Sequence, residues 1–234
     1  HKWTGVIPEG FTLHNYVDLF TDSNFLASVG RSIAMSIIPI IVTIVIVLLA
    51  LFVTAIYFPK LEKYVQIICM IPYTIQGVIL SVSILSLYVG SSSILSNRLV
   101  MLMGAYCIVI LPYIYQGIRN GMRAVNMPTL IEAAEMLGAS KIYAFFRVVV
   151  PNILSAIIVS SLLAVGIIFG DYVLIRNLAG TSAPNMQIFL YQTMKSDSTK
   201  ASAVFVVIMF VTFVITAIVL FMKSREAKEK THRK

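Results

Sequence analysis

PTLIEAAEMLGASKIYAFFRVVVP, residues 128–151, is a charged interruption between two long apolar runs. Only 12% of the 234 residues are charged, yet this stretch holds Glu132, Glu135, Lys141 and Arg147. It reads as two short helices around a glycine turn. Pro128 and Thr129 open the first, because a proline in the first helical turn forfeits no hydrogen bond and presets φ. Glu132 falls near that start, where a carboxylate suits the positive end of the helix dipole. Ile131, Ala134 and Leu137 share one side at helical spacing. Gly138 supplies the left-handed conformation that ends a helix. Ser140 can cap a second helix over 141–149, and Pro151 begins the apolar segment that follows. Ala133, Ala134, Gly138 and Ala139 leave a shallow surface that another protein can fit closely.

The rest of the chain explains why such a loop stands out. Hydrophobic residues make up 59% of it, beyond the soluble globular range and typical of a polytopic membrane protein. The net charge of +8 does not indicate nucleic acid, because the basic residues sit in short loops and a tail rather than on a stripe with aromatics. Cys69 and Cys107 each lie in an apolar run without a CxxC pair or a nearby histidine, so they read as small buried hydrophobes. His1, His14 and His232 are scattered, and no metal site is expected.

Five apolar spans are predicted: 33–58, 64–89, 99–118, 152–171 and 201–222. Each is about 20 residues or longer, the length needed to cross a hydrocarbon core. Pro39 lies in the first, Pro72 and Gly77 interrupt the second, and Pro112 lies in the third. Residues 1–28 are too polar to span and form an extracytoplasmic segment, with FTLHNYVDLF (11–20) as a short interfacial helix. Residues 29–222 form the transmembrane domain, with its loop at 120–151, and 223–234 form a basic tail. A further short helix is expected over 186–194. Glu62, between Lys60 and Lys63, reads as a solvated loop charge.

Lysine and arginine set the orientation. With the 128–151 loop in the cytoplasm, the inside carries Lys60, Lys63, Arg119, Arg123, Lys141, Arg147 and six tail residues, 12 in all. The outside carries Lys2, Arg31, Arg98, Arg176, Lys195 and Lys200, which is 6. Five spans with a cytoplasmic C-terminus put the N-terminus outside, so a sixth span preceding His1 is expected.

Glu132-Ala133-Ala134, three residues, Gly138, nine residues, then Val148-Val149-Val150-Pro151 resembles the EAA loop of type I ABC importer permeases. Two valines replace the usual Ile and Leu, which keeps the apolar character. PEGFTLHNYVDLF (8–20), FGDYVLIRNLAG (169–180) and QIFLYQTMKSDSTKASAV (187–204) resemble permeases of the polyamine, ferric-iron and 2-aminoethylphosphonate group. The resemblance implies an all-α, six-helix permease in a bacterial cytoplasmic membrane. It implies two ATP-binding cassette subunits, a second homologous permease and an extracytoplasmic solute-binding protein as partners. ATP and Mg would belong to the cassette subunits, and the chain itself lacks the G-x-x-x-x-G-K-S/T pattern of an ATP site. Coupling to the ATPase would fall on Glu132, Ala133, Ala134 and Gly138, with Arg123 contacting the ATPase or lipid headgroups.

Four residues are candidates for the solute path. Asp171, at the outer end of the fourth span, either faces a cationic solute such as a polyamine or is a helix-end residue at the water interface, paired with Arg176. Arg176 either favours an anionic solute or is a solvated loop charge. Gln76 and Gln116 either line the path or hydrogen-bond between helices. No catalytic residues are expected. A secondary carrier would need ionisable residues near the midplane, and the spans lack them. An intramembrane enzyme would need clustered His, Asp or Glu, which is also missing from the sequence.

Overall fold

The computed structural model describes residues 14–75, 77–90, 94–180 and 184–232, and these are helical with no strand among them. The helices are α1 (His14–Thr21), α2 (Ser23–Ile56), α3 (Glu62–Met70), α4 (Gly77–Tyr88), α5 (Arg98–Ala124), α6 (Met127–Met136), α7 (Lys141–Ala144), α8 (Val150–Asn152), α9 (Leu154–Gly170), α10 (Met186–Ser196) and α11 (Ser198–His232). Among the described residues, three stretches are long and apolar enough to cross a membrane alone: α2, α5 and Ser198–Ile218 of α11. Two bent pairs, Pro59–Thr74 with α4 and Lys141–Asn152 with α9, raise the number to five if each pair is one span.

Sequence and structure part company in the second span. Residues 64–89 do not form one straight crossing but turn a corner of 101°. Pro72 sits in a tight turn, Ile71–Thr74, and Ile75 is extended (ψ 116°), so the chain leaves the axis of α3 before α4 begins at Gly77. At 12 residues α4 is about 18 Å long, too short to cross a core of about 30 Å unaided. The first, third and fifth spans are single helices with shifted ends, whereas the fourth, α9, has only 17 residues and reaches crossing length only with the bent Lys141–Asn152 segment before it. α2 starts at Ser23 because the Asp22 carboxylate accepts from Asn24 N, and it continues through Pro39. α11 starts at Ser198 and runs on to His232.

α5 is the inner helix. Leu102, Ala105, Ile110, Ile114 and Ile118 are completely covered, packed between α2 and α9. The approach of α5 to α9 is closest at two glycines. A Cβ on Gly117 would lie 2.4 Å from Ser160 Cβ, and one on Gly121 would lie 2.6 Å from Ala156 Cβ. Gly117-x-x-x-Gly121 thus meets Ala156-x-x-x-Ser160, small residues on both sides, which is how helices pack closely in lipid. A buried serine ladder on α2 serves the same end, and Ser32 Oγ accepts from Met186 N at the head of α10 (3.0 Å). A second, smaller core gathers Leu19, Phe25, Phe169, Met186 and Val204 from α1, α2, α9, α10 and α11. Large apolar side chains remain exposed along α2, α3, α4 and α11, as a lipid-facing surface requires.

Candidate functional site

The 128–151 loop is a helical hairpin between the stems α5 and α9. Asn126, in the left-handed region (φ 50°), turns the chain out of α5, and α6 starts one residue later with Pro128 in its first turn. Met127 and Ile131 are buried, with Leu130 and Ala134 packed partly against the core. Glu132, Ala133 and Met136 occupy the opposite, exposed face. The helix stops where expected. Gly138 has φ +87°, its N–H donates to Glu135 O (2.9 Å), and Ala139 N donates to Ala134 O (3.0 Å). Ser140 Oγ then accepts from Tyr143 N (3.3 Å) to start α7.

Two features of the loop differ from the sequence reading. Leu137 does not share the side of Ile131 and Ala134. It caps α6 with helical bonding already finished (φ −88°, ψ 7°), and its side chain is 89% exposed. The second helix is not a simple run over 141–149 either. Residues Phe145–Val149 form a π turn, and the chain then bends by 65° at Ile153 before α9. Pro151 therefore lies inside the short α8 and precedes the span by three residues. Phe145 is buried against Phe52 of α2 (4.8 Å between centroids), which fixes the hairpin to the bundle.

Arg123 lies on the last turn of α5, exposed, with Nη2 3.3 Å from Glu62 Oε1. Arg119, one turn earlier, places Nη2 2.8 Å and Nε 2.9 Å from the same oxygen. Glu62 is thus not a solvated loop charge but the acceptor for two arginines. Nothing local in the sequence marks this pairing, which joins residues 57 positions apart.

Midway along α5 a cavity of about 220 Å³ opens at the corner between α3 and α4. Pro72, Tyr73, Ile75 and Gly77 line it from that corner, Val109 and Tyr113 from α5, and Asp171 and Leu174 from the turn after α9. The rings of Tyr73 and Tyr113 meet edge to face, 4.9 Å apart. Asp171 closes α9 and starts the next helical turn. Its carboxylate accepts from Leu174 N (3.3 Å), Ile175 N (3.2 Å) and the Tyr106 hydroxyl (3.2 Å). It forms no ion pair with Arg176. That guanidinium instead lies 5.6 Å from the centre of the Tyr191 ring, which Lys195 also approaches (4.6 Å). Beside Lys195 the Tyr191 phenol is held below its ordinary pKa, chiefly by the hydrogen bond to that ammonium. Gln116 Nε2 donates to Met70 Sδ (3.1 Å), a link between α5 and α3. Gln76 lies outside the described residues. Among the described residues, no group of three or more His, Cys, Asp or Glu could hold a metal.

The bundle thus carries a glycine-turned helical hairpin at one end and, midway along α5, a small cavity of mixed polar and apolar lining. The family model "binding-protein-dependent transport system inner membrane component" matches residues 61–227, and the chain belongs to that family. It is a multi-pass membrane permease component of an ABC importer. It is 23% identical to a probable ABC transporter permease protein, MG188, of Mycoplasma genitalium, over 91% of this chain and 72% of that one. In fold it is similar to a bacterial ABC transporter involved in the import of the acidic polysaccharide alginate (TM-score 0.64, 17% identity, 94% of this chain and 85% of that one). It is equally similar to that alginate transporter in complex with an alginate pentasaccharide-bound periplasmic protein (TM-score 0.64, 18% identity, 91% and 81%).

Proposed function

We propose that this chain forms one half of the translocation path of an ATP-driven importer and is driven through the 128–151 loop by a separate ATPase. One observation carries the reading. Met136 and Leu137, at the Gly138 turn, are 90% and 89% exposed, more than any other described large apolar side chain. They stand on a hairpin outside the spans, where no lipid would cover them. Apolar tips in water mark a surface meant for a partner. Glu132 and Ala133 share that face, so coupling is assigned to Glu132, Ala133, Ala134 and Gly138, with Arg123 at its base.

In this reading the loop is cytoplasmic, as is the C-terminus, and the membrane is the inner membrane of a bacterium. The partners are two ATP-binding cassette subunits, which hold ATP and Mg, a second homologous permease and an extracytoplasmic solute-binding protein. Closure of the cassette dimer pushes on α6, and the two permease halves rock about their interface. The test is recovery of the ATPase with the purified chain. Gly138→Asp and Glu132→Lys should each cut recovery at least tenfold and abolish uptake. Unchanged recovery with unchanged uptake would sink the assignment.

For the solute we propose a polyamine. Asp171 lines the cavity with Tyr73 and Tyr113, and a carboxylate beside π faces suits an alkylammonium. The same machinery would serve 2-aminoethylphosphonate, ferric iron or thiamine. A second reading, an acidic oligosaccharide, is favoured by Arg176 and Lys195, which share the Tyr191 ring. The ligand carried by the associated solute-binding protein decides between them. Spermidine or putrescine supports the first, and a uronic-acid oligomer supports the second.

A further inference from the structure

The wall of the cavity formed by α3 and α4 is weakly embedded. α3 buries only Cys69, and α4 only Leu80 and Ser81. Side-chain ties hold this bent element instead. At the α4 end, Asn177 Nδ2 donates to Ser81 Oγ (2.7 Å) and secures α4 to the turn after α9. At the α3 end, Glu62 Oε1 receives Arg119 Nη2 (2.8 Å), Arg119 Nε (2.9 Å) and Arg123 Nη2 (3.3 Å). Between them, contacts climb α3 and the Ile71–Thr74 turn as they descend α5: Met70 to Gln116, then Tyr73 to Tyr113. Of these three levels only the first is charge-assisted and strong. The sulfur bond and the ring contact are individually weak. Arg119 is 15% exposed and its guanidinium lies 6.0 Å from the Tyr115 ring, so the strong level is also the shielded one.

The position of this level matters more than its strength. Arg119 and Arg123 are one helical turn apart at the end of α5, and two residues beyond α5 the chain enters α6. α5 is locked to α9 through Gly117 and Gly121, so both stems of the hairpin move together. The α3–α4 wall is not part of that close packing. We propose that Glu62 is a positioning residue: its pairing with Arg119 and Arg123 pins the cavity wall to the stem of the 128–151 hairpin. A push on α6 is then delivered to Tyr73 and Gly77 as well as to α5 and α9. Without the pin the wall lags, and the ATPase cycles without moving solute. This inference rests on the coupling role proposed above for the hairpin.

The test uses the complete complex of both permeases and both ATPase subunits in liposomes, with uptake and ATP hydrolysis measured on the same sample. Glu62→Gln should leave ATPase recovery within twofold of wild type, leave hydrolysis running, and lower solute moved per ATP at least fivefold. The exchange Glu62→Arg with Arg119→Glu should restore that ratio to within about twofold, which a merely structural defect would not do. Removing Glu62 alone leaves Arg119 half-buried without its partner and can unfold the chain. Glu62→Gln with Arg119→Gln therefore serves as the second variant, with both charges gone and the same uncoupling expected. A wild-type ratio in either neutral variant overturns the pin. So does an exchange variant no better coupled than Arg119→Glu alone. A wild-type chain that recovers no ATPase refutes the coupling reading itself, and the pin's role with it.

Discussion

Gly117→Ala adds one methyl group and should loosen the α5–α9 seam. The new Cβ would sit 2.4 Å from Ser160 Cβ and 2.9 Å from its Oγ, where ordinary contact begins at 3.4 Å. The shortfall to Cβ is 3.4 − 2.4 = 1.0 Å. Ser160 Cβ is fixed to its backbone, so no rotamer change clears it, and the helices must part by about that amount. Overpacking of this kind costs about 1–3 kcal/mol. For a chain of this size each kcal/mol lowers the melting temperature by about 2–4 °C. The assay is thermal unfolding of purified protein in nanodiscs, read in a double-mutant cycle with Ser160→Gly. Ser160→Gly carries its own helix penalty, but in that background the cost of Gly117→Ala should fall to nearly nothing, because the clashing atom is gone. Equal costs of Gly117→Ala in both backgrounds would refute the reasoning, as would a single variant as stable as wild type.

Three further outcomes follow from the same contacts. Lys200 Nζ lies 2.8 Å from Asp22 Oδ2 and, as the main cause, holds the carboxyl below its ordinary pKa. A carboxylate depressed in the folded state stabilises above its unfolded pKa of about 3.9, and the stabilisation is lost as pH falls through the folded value. Wild type and Asp22→Asn should therefore differ in melting temperature at pH 7, with wild type higher, and converge as pH drops well below 4. The Tyr115 hydroxyl is buried with no hydrogen-bond partner among the described residues, so Tyr115→Phe should be neutral or stabilising by about 1 kcal/mol in the same melts. Gly138→Ala places a side chain at φ +87° and should destabilise the hairpin by about 1 kcal/mol, seen as faster proteolysis within 128–151 and unchanged cleavage elsewhere.

The parts legible in the sequence were those coded by local pattern. Apolar run length located α2, α5 and α11, and Pro128, Gly138 and Ser140 marked the start, stop and restart of the hairpin. What escaped was non-local. Pro72 and Gly77 announced an interruption, but the 101° corner depends on what α3 and α4 pack against. Glu62 looked like one more charge between two lysines because its partners lie on α5. Gly117 and Gly121 sat four apart in plain view, yet their meaning required Ala156 and Ser160 from another helix. Leu137 fitted the buried side of α6 by spacing, and only the helix ending at Met136 turned it outward. Asp171 was read from sequence as a helix-end residue, but the donors it accepts from, Leu174 N, Ile175 N and the Tyr106 hydroxyl, were not predictable from Arg176 nearby.

A separate ATPase that grips the hairpin tip must come within cross-linking reach of Leu137. Cys69 and Cys107 are free thiols and can be replaced by alanine, after which Leu137→Cys carries a photoactivatable maleimide as the only label. Irradiation of the transport-competent complex should yield an adduct whose peptide mass identifies the subunit bearing an ATP-binding P-loop. The same label at Lys195, beyond the opposite end of the bundle, should not give that adduct. A complex that transports solute but yields no ATPase adduct from position 137, or yields it equally from position 195, would contradict the account.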